Sequence, residues 1–433
     1  MIEHDNRHKL LNARARMFFL LAGIAFCVTW THAARAPMEW APVRTNEIAR
    51  WKAERKAPAG VVADRTARTV TFLMEATGIS ATEPVEFFAI GPLSDRAYES
   101  FGVTVASPAA IAAAVESIGV PQGVACDPFL ARFWPQGEHL VLTATPYGDK
   151  TDAAPIPLAD LLVDKRAKED GAVLAEPLAY TGGARDAANR PVAATNIPCA
   201  VFALYSHGPS LLQLNGRFDQ STTYGRFIAG KAFPIGTLLE MKLTWDGTSR
   251  VKARTPTLSA TNISEVLQSL QADAATPGSD LFVTPTFDDS VTVARAVEIA
   301  KAFNMLDGNG LKMNGTAKDQ FFYKAFLPDP AWRNRQGRLF QPFEIRLAAD
   351  GSRTFTFVEE DWSGDGLDPV LKPKTRTISD WSELPACLAQ TGEQGAKITV
   401  AFVYTPADTP VTKLSPIVKA LVPRIGTFYV FAE

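Results

Sequence analysis

Short alternating apolar–polar runs and brief amphipathic segments follow one another along most of the chain, and in the C-terminal half their order occurs twice. Glu240–Gly247 (EMKLTWDG) and Phe343–Gly351 (FEIRLAADG) are alternating runs that end in Asp-Gly, which reads as a strand entering a tight turn. The first is followed by the helical pattern NISEVLQSL (Asn262–Leu270) and then by GSDLFVTPTFDDSVTVARAVEIAKAF (Gly278–Phe303). The second is followed by ISDWSELPACL (Ile378–Leu388) and GAKITVAFVYTPADTPVTKLSPIVKAL (Gly395–Leu421). An order of strand, turn, helix, strand, helix that recurs over roughly 100–120 residues predicts two copies of one small α+β unit. The copies are expected over residues 235–318 and 340–433, with a connector at 319–339. Duplication points to binding or assembly and names no reaction.

Upstream the pattern is strand-rich: TVTFLMEATG from Thr69, EPVEFFAIG (Glu83–Gly91), AYESFGVTVAS (Ala97–Ser107) and HLVLTATPYG (His139–Gly148). One helix stands out. Ser107 supplies an N-cap, Pro108 fits the first turn and Gly119 supplies the stop. PCAVFALYSHG (Pro198–Gly208) and SLLQLNGRF (Ser210–Phe218) read as a hairpin-like pair, while residues 37–62 read as a linker or short helix. The fold class expected is therefore α+β, a mixed β-rich domain over 63–225 followed by two smaller modules.

Composition adds limits more than identity. With 433 residues, about three domains are expected. A hydrophobic share of 46% and a charged share of 21% are ordinary for a globular chain. The net charge of −2 gives no support to a nucleic-acid partner, which calls for a basic surplus.

The N-terminus changes the picture. Arg7, Lys9, Arg14 and Arg16 precede the apolar run Met17–Trp30, and Ala33, Ala34 and Ala36 follow, as in an export signal. Cleavage after Ala33 and retention of residues 17–30 as a membrane tether both fit; cleavage after Ala36 is disfavoured by Pro37. Residues 1–36 are thus read as signal or anchor, and the protein as exported to the periplasm. Three cysteines follow (Cys126, Cys199 and Cys387), and a Cys126–Cys199 bridge is the pairing expected in an oxidising compartment.

Candidate chemistry is sparse. Asp361, Ser363, Asp365 and Asp368, with Gly366 at the sixth position, resemble the opening of a calcium loop, but Lys372 stands where a bidentate Glu belongs. An acidic hairpin turn is the alternative. Asp307-Gly308-Asn309-Gly310 is read as a turn. Glu99, with Glu86 and His207, is the one acid–imidazole grouping with catalytic or metal-binding potential; alternatively Glu99 pairs with Arg96. Trp332–Phe343 (WRNRQGRLFQPF) combines Arg with aromatic residues, either as an anionic-polymer site or as a connector. GxSxG, HExxH, GxGxxG and P-loop signatures are absent from the sequence.

Two resemblances rest on these segments. EPVEFFAIG, Tyr98-Glu99-Ser100, ASPAAIAAAVESIGVPQG, LAYTGG (Leu178–Gly183) and AVFALYSHG make residues 60–217 similar to the YdjY-type domain of exported and membrane-associated bacterial proteins. That family usually has a His where Tyr98 stands, so a carried-over metal or redox role is weakened. The two C-terminal copies resemble extracytoplasmic domains of ExbD/TolR-type proteins, of order β-β-α-β-α-β, with GLKMNG and GTFYVFAE as closing strands. Those proteins carry an intramembrane Asp; no Asp or Glu lies between Met17 and Trp30, so proton coupling is not implied. The resemblances imply a non-enzymatic envelope scaffold whose partners are envelope or inner-membrane proteins, or cell-wall polymer. A metal-dependent or redox accessory protein, built on the first domain, is the alternative.

Overall fold

The computed structural model describes residues 40–126, 134–148, 153–169, 178–183, 200–205, 210–216, 223–276, 278–307, 311–314, 323–328, 341–363, 369–421, 424–425 and 427–433. Helices and strands are both abundant, and the protein is α+β. In the first half, helix α1 (Thr45–Glu54) precedes β1 (Val61–Asp64), β2 (Thr69–Ala76), β3 (Phe87–Ile90) and β4 (Ser100–Thr104). Helix α2 (Pro108–Ser117) leads to β5 (Glu138–Pro146), β6 (Ile156–Pro157), β7 (Leu162–Asp164) and β8 (Leu178–Tyr180). Then come β9 (Ala200–Ala203), β10 (Leu212–Leu214), β11 (Phe227–Ala229) and β12 (Leu238–Thr244).

Strand pairing runs β2-β12-β5-β8-β10-β9-β3-β4, and β4 pairs back onto β2 through Met74–Thr104, Glu75–Val103 and Ala76–Gly102. The sheet is therefore closed and barrel-like, and closure satisfies edges that an open sheet would leave exposed. Strands β1 and β6 extend its margin, and β7 pairs with β11 separately. The interior is a continuous apolar cluster that includes Phe72, Met74, Phe88, Leu142 and Phe202. Phe88 stacks on Phe101 at 4.8 Å between centroids. Helix α2 starts where its cap chemistry dictates: the Ala110 N–H donates to Ser107 Oγ at 3.2 Å.

Helix α1 lies within the stretch read as a linker or short helix, and it is fixed to the barrel. Ile48 and Trp51 pack on Leu73 and Leu238. Trp51 Nε1 donates to Glu240 Oε2 at 2.7 Å, and Arg55 pairs with the same carboxylate at 2.9 Å. Just upstream, Trp40 Nε1 donates to the buried Glu75 at 2.8 Å.

Two expectations need correction. Glu240–Gly247 does not open the first repeat: it belongs to β12, which pairs with β2 on one side and β5 on the other. The module boundary at 235 therefore falls inside the barrel. Alternation showed that one face of this strand is buried, but it carries no information about which sheet buries it. Likewise β9 and β10 do not form a hairpin; they pair in parallel.

The second half contains β13 (Val251–Arg254), β14 (Thr257–Leu258), α3 (Ile263–Ala274), β15 (Asp280–Val283), β16 (Thr286–Phe287), α4 (Val293–Leu306) and β17 (Leu311–Met313). It continues with β18 (Phe343–Leu347), β19 (Arg353–Asp361), β20 (Val370–Ile378), α5 (Leu384–Ala389), α6 (Gly392–Ala396), β21 (Val400–Thr405), α7 (Ser415–Leu421) and β22 (Thr427–Ala432). Strands β13, β15 and β17 are mutually parallel neighbours, joined by α3 and α4. Strands β18, β21 and β22 are likewise parallel neighbours, with helices preceding β21 and β22. The order strand-helix-strand-helix-strand does occur twice, but its first copy begins at β13. The second copy carries an extra antiparallel hairpin, β19–β20, giving the order β20-β19-β18-β21-β22. Its β18–β19 turn uses Gly351 at φ +84°, a conformation open to Gly at little cost.

Both copies contribute to one apolar core, from Leu258, Ile299 and Phe303 in the first to Phe343, Val403 and Leu421 in the second. The chain also stitches them together: Val293 N–H donates to Thr409 O and Val411 N–H to Val291 O, each at 2.9 Å.

Gly137 marks the closest backbone approach in the barrel wall, because a Cβ there would lie 1.9 Å from Tyr180 O. Gly137→Ala should lower stability by about 1–3 kcal/mol in denaturant melts, since rigid backbone must move to admit the methyl group. An unchanged midpoint would refute this close packing.

Candidate functional site

A buried cluster of charged and polar side chains lies between the barrel and the first repeat. Strand β5 begins there with Glu138 and His139, close to Trp134, while Asn215 follows β10. Facing them, Asp280 opens β15 and Lys312 sits in the middle of β17; Phe282 pairs with Lys312 across the two parallel strands.

Lys312 is almost fully buried. Its Nζ lies 3.0 Å from Asp280 Oδ2 and donates to Asn215 Oδ1 at 2.5 Å. The rings of Trp134 and Phe282 flank the ammonium at 5.4 and 5.3 Å, within cation–π range. Burial pushes the Lys312 ammonium below its ordinary value, against the opposing pull of Asp280. Asp280 is more fully supported. Burial alone would raise its carboxyl, but hydrogen bonding from His139, the charge of Lys312 and hydrogen bonding from Asn215 hold it down at about 2.

His139 Nε2 is 2.7 Å from Asp280 Oδ2. An ionised carboxylate only accepts, so this contact requires a proton on Nε2. Asn215 Nδ2 donates to the same Asp280 oxygen at 2.8 Å. The result is a carboxylate that holds an imidazole, an amide and an ammonium at once. Next to it, buried Glu138 accepts from Ser249 Oγ at 2.7 Å and from the Arg250 N–H at 2.8 Å, fixing the chain as it leaves the barrel. Trp134 Nε1 donates to Asp307 Oδ1 at 3.1 Å, and Tyr323 OH donates to Asp307 Oδ2 at 2.8 Å. Asp307, read as a turn residue, is thus a hub of the seam.

His139 also lines a cleft of about 400 Å³ with Val141, Leu142, Leu158, Leu178 and Arg250. Arg250 is engaged with Asp246 at 2.5 Å. Because the carboxylate and ammonium satisfy one another, the arrangement fastens the barrel to the first repeat.

The residues singled out from sequence lie elsewhere. Glu99 is in a 3₁₀ turn and not on the strand proper. Arg96 Nη1 donates to Glu99 Oε1 at 3.1 Å and to Tyr98 OH at 2.6 Å. Burial, followed by the charge of Glu86, raises the Glu99 carboxyl. Burial and then the charges of Glu86 and Glu99 also raise Tyr205. These acids therefore do share one neighbourhood, but His207 lies outside the described residues.

In the calcium-like loop, Asp361 Oδ2 accepts from Lys372 Nζ at 2.6 Å, and Asp361 Oδ1 accepts from the Ser363 N–H at 2.9 Å. The lysine at the twelfth position thus supplies the positive charge beside Asp361. Asp365 and Asp368 lie outside the described residues, as do Cys199, residues 1–39 and most of the Arg-aromatic segment. Cys126 is buried. Among the described residues, no group of three or more His, Cys, Asp or Glu side chains is placed to hold a metal, and no helix is long and apolar enough to cross a membrane.

No protein-family model, no curated protein and no solved structure matches the chain.

The Asp280 carboxyl is lowered from 3.8 to about 2 by folding, so its contribution to stability is full above the unfolded value and is lost as pH falls through about 2. Denaturant melts across this interval should show a smaller pH slope for Asp280→Asn than for the parent. Equal slopes would mean that Asp280 is not held as described.

Proposed function

We propose that the protein is an exported envelope scaffold that works by binding and assembly, with a YdjY-like first domain and two ExbD/TolR-like modules, and without proton coupling of its own. The export-type N-terminus supports the location. The twice-occurring parallel strand-helix order supports a pair of binding modules fused within one chain.

The observation that carries the reading is strand β20. Eight of its nine residues are exposed, and among the described residues it pairs only with β19. Along it stand Lys372, Lys374 and Arg376, with no acidic residue. On the hairpin face their charges meet cross-strand neighbours: Lys372 with Asp361 at 2.6 Å and Lys374 with Glu359 at 3.3 Å. Arg376 hydrogen-bonds Gln390.

An open edge with lysines and Pro373 resists pairing with a second copy of itself, because like charges would align and proline lacks a donor. The same edge favours an acidic partner. An envelope protein with an acidic extended segment fits best, and Trp362, Val370 and Leu371 add exposed apolar contact area next to the edge.

Purification of the tagged full chain from native membranes in mild detergent should co-isolate such a partner, and Lys374→Glu/Arg376→Glu should abolish the association while leaving the melting curve nearly unchanged. A parent protein that runs alone, or a charge-reversed variant that keeps its partner, would count against the proposal. Retention on isolated wall polymer in place of a protein would move the assignment to polymer binding.

A further inference from the structure

Tight turns favour Gly, Pro, Asn, Asp and Ser, each for a backbone reason, and a large apolar side chain left in water there needs another reason. Where the described chain enters the barrel, three such side chains stand out: Val43 is 55% exposed, Leu93 69% and Ile235 57%. Exposed Ala41 and Pro42 precede the first, and exposed Pro234 precedes the third. None of them sits on a loose segment. The Val43 and Arg44 N–H groups both donate to the buried Glu75 carboxylate, at 2.9 and 3.0 Å. Gly236 N–H donates to Ala76 O, and Ala76 N–H to Thr237 O, each at 2.9 Å, so Ile235 stands on a pinned turn. Ser94 N–H donates to Gly91 O at 3.1 Å and closes the turn that carries Leu93.

The three are grouped around Trp40. Gly236, next to Ile235, lies so close to Val43 that a Cβ on the glycine would be 3.1 Å from the valine Cβ. Pro92, next to Leu93, shares a cleft of about 360 Å³ with Trp40, Pro42 and Lys52. The half-buried Trp40 indole is tied by its N–H to the same Glu75 that holds Val43. Residues 40–44, 91–94 and 232–236 contain no Asp or Glu, and Arg44 is their one cation. Acids begin at the margin, where Glu47 pairs with Arg44 at 3.6 Å and Asp95 with Arg96 at 3.5 Å.

The reach of the upstream chain decides what lies opposite this patch. Trp30 closes the apolar run read as a membrane tether, and Trp40 is ten positions further on. Ten residues span at most about 36 Å, even fully extended. With the tether retained, the patch is confined beside the bilayer, at an effective concentration where even weak insertion is populated. We propose that this end of the barrel seats on the phospholipid surface, with Val43, Leu93 and Ile235 inserted at the boundary of headgroups and acyl chains. The Trp40 indole, apolar in body and polar at one edge, suits the headgroup level. The inference rests on residues 17–30 being a retained anchor, and it is independent of strand β20.

A cut-and-float experiment on the full chain tests it. A site-specific protease sequence is inserted after Ala36, and the folded protein is reconstituted into vesicles of phosphatidylethanolamine and phosphatidylglycerol before cutting. The released body should still float with the vesicles. In Val43→Ser/Leu93→Ser/Ile235→Ser its partitioning onto them should fall at least about tenfold, because the apolar area available for insertion is lost. The thermal midpoint of this variant should stay near that of the parent, since the three side chains already face water. A parent body that leaves the vesicles on cutting would overturn the seat while leaving the anchor standing. A full chain that fails to float before cutting would overturn both. A triple variant held as firmly as the parent would also overturn the proposal. So would a parent body kept by native membranes and lost from protein-free vesicles, which would assign the patch to a protein.

Discussion

A buried ammonium must keep its counter-ion, and much of the architecture follows from meeting that condition for Lys312. Removing a charge from water is costly, and the cost is offset only where the opposite charge and further hydrogen bonds are already in place. Asp280 supplies the charge from the neighbouring strand of the same sheet, but Asn215 and His139 come from the barrel. Lys312 is therefore satisfied in full only when the two halves are in contact. Glu138 has a parallel role, since the two donors that it accepts, Ser249 Oγ and the Arg250 N–H, lie in the chain that links the halves.

On either side of that junction the two halves solve the edge problem differently. The barrel closes β4 onto β2. The repeats, built from parallel strands, need a helix for every crossover, and those helices cover one face of each sheet. Their merged core makes the pair one body, while the β19–β20 hairpin carries the second sheet outward to an exposed, cationic margin. The repeats are asymmetric: in the first, Asp280 and Lys312 meet the barrel, and the second adds the strand that reaches solvent.

Local signals in the sequence proved informative wherever the chemistry was local. Ser107 and Pro108 start a helix because a hydroxyl and a ring suit an N-terminus, and the structure places α2 at Pro108–Ser117. The runs at Thr69, His139 and Phe343 became β2, β5 and β18. Partner choice was not legible. The strand Leu238–Thr244 has the same alternation whether it joins the barrel or opens a repeat, and β9 and β10 lie close in sequence yet pair in parallel. The seam was invisible for a similar reason. Trp134, His139, Asn215, Asp280 and Lys312 are separated by up to 178 positions and form no spacing motif, so only the fold assembles them. A single Lys flanked by Leu311 and Met313 in a short apolar strand was the one local anomaly that pointed there.

Calorimetry of the full chain tests most directly the central claim that two separately cored bodies meet across a polar seam. The account predicts two resolvable unfolding transitions, of which Gly137→Ala, in the barrel wall, shifts only one to lower temperature. A single transition that moves as a whole with Gly137→Ala would contradict it, because barrel and repeats would then share one cooperative core.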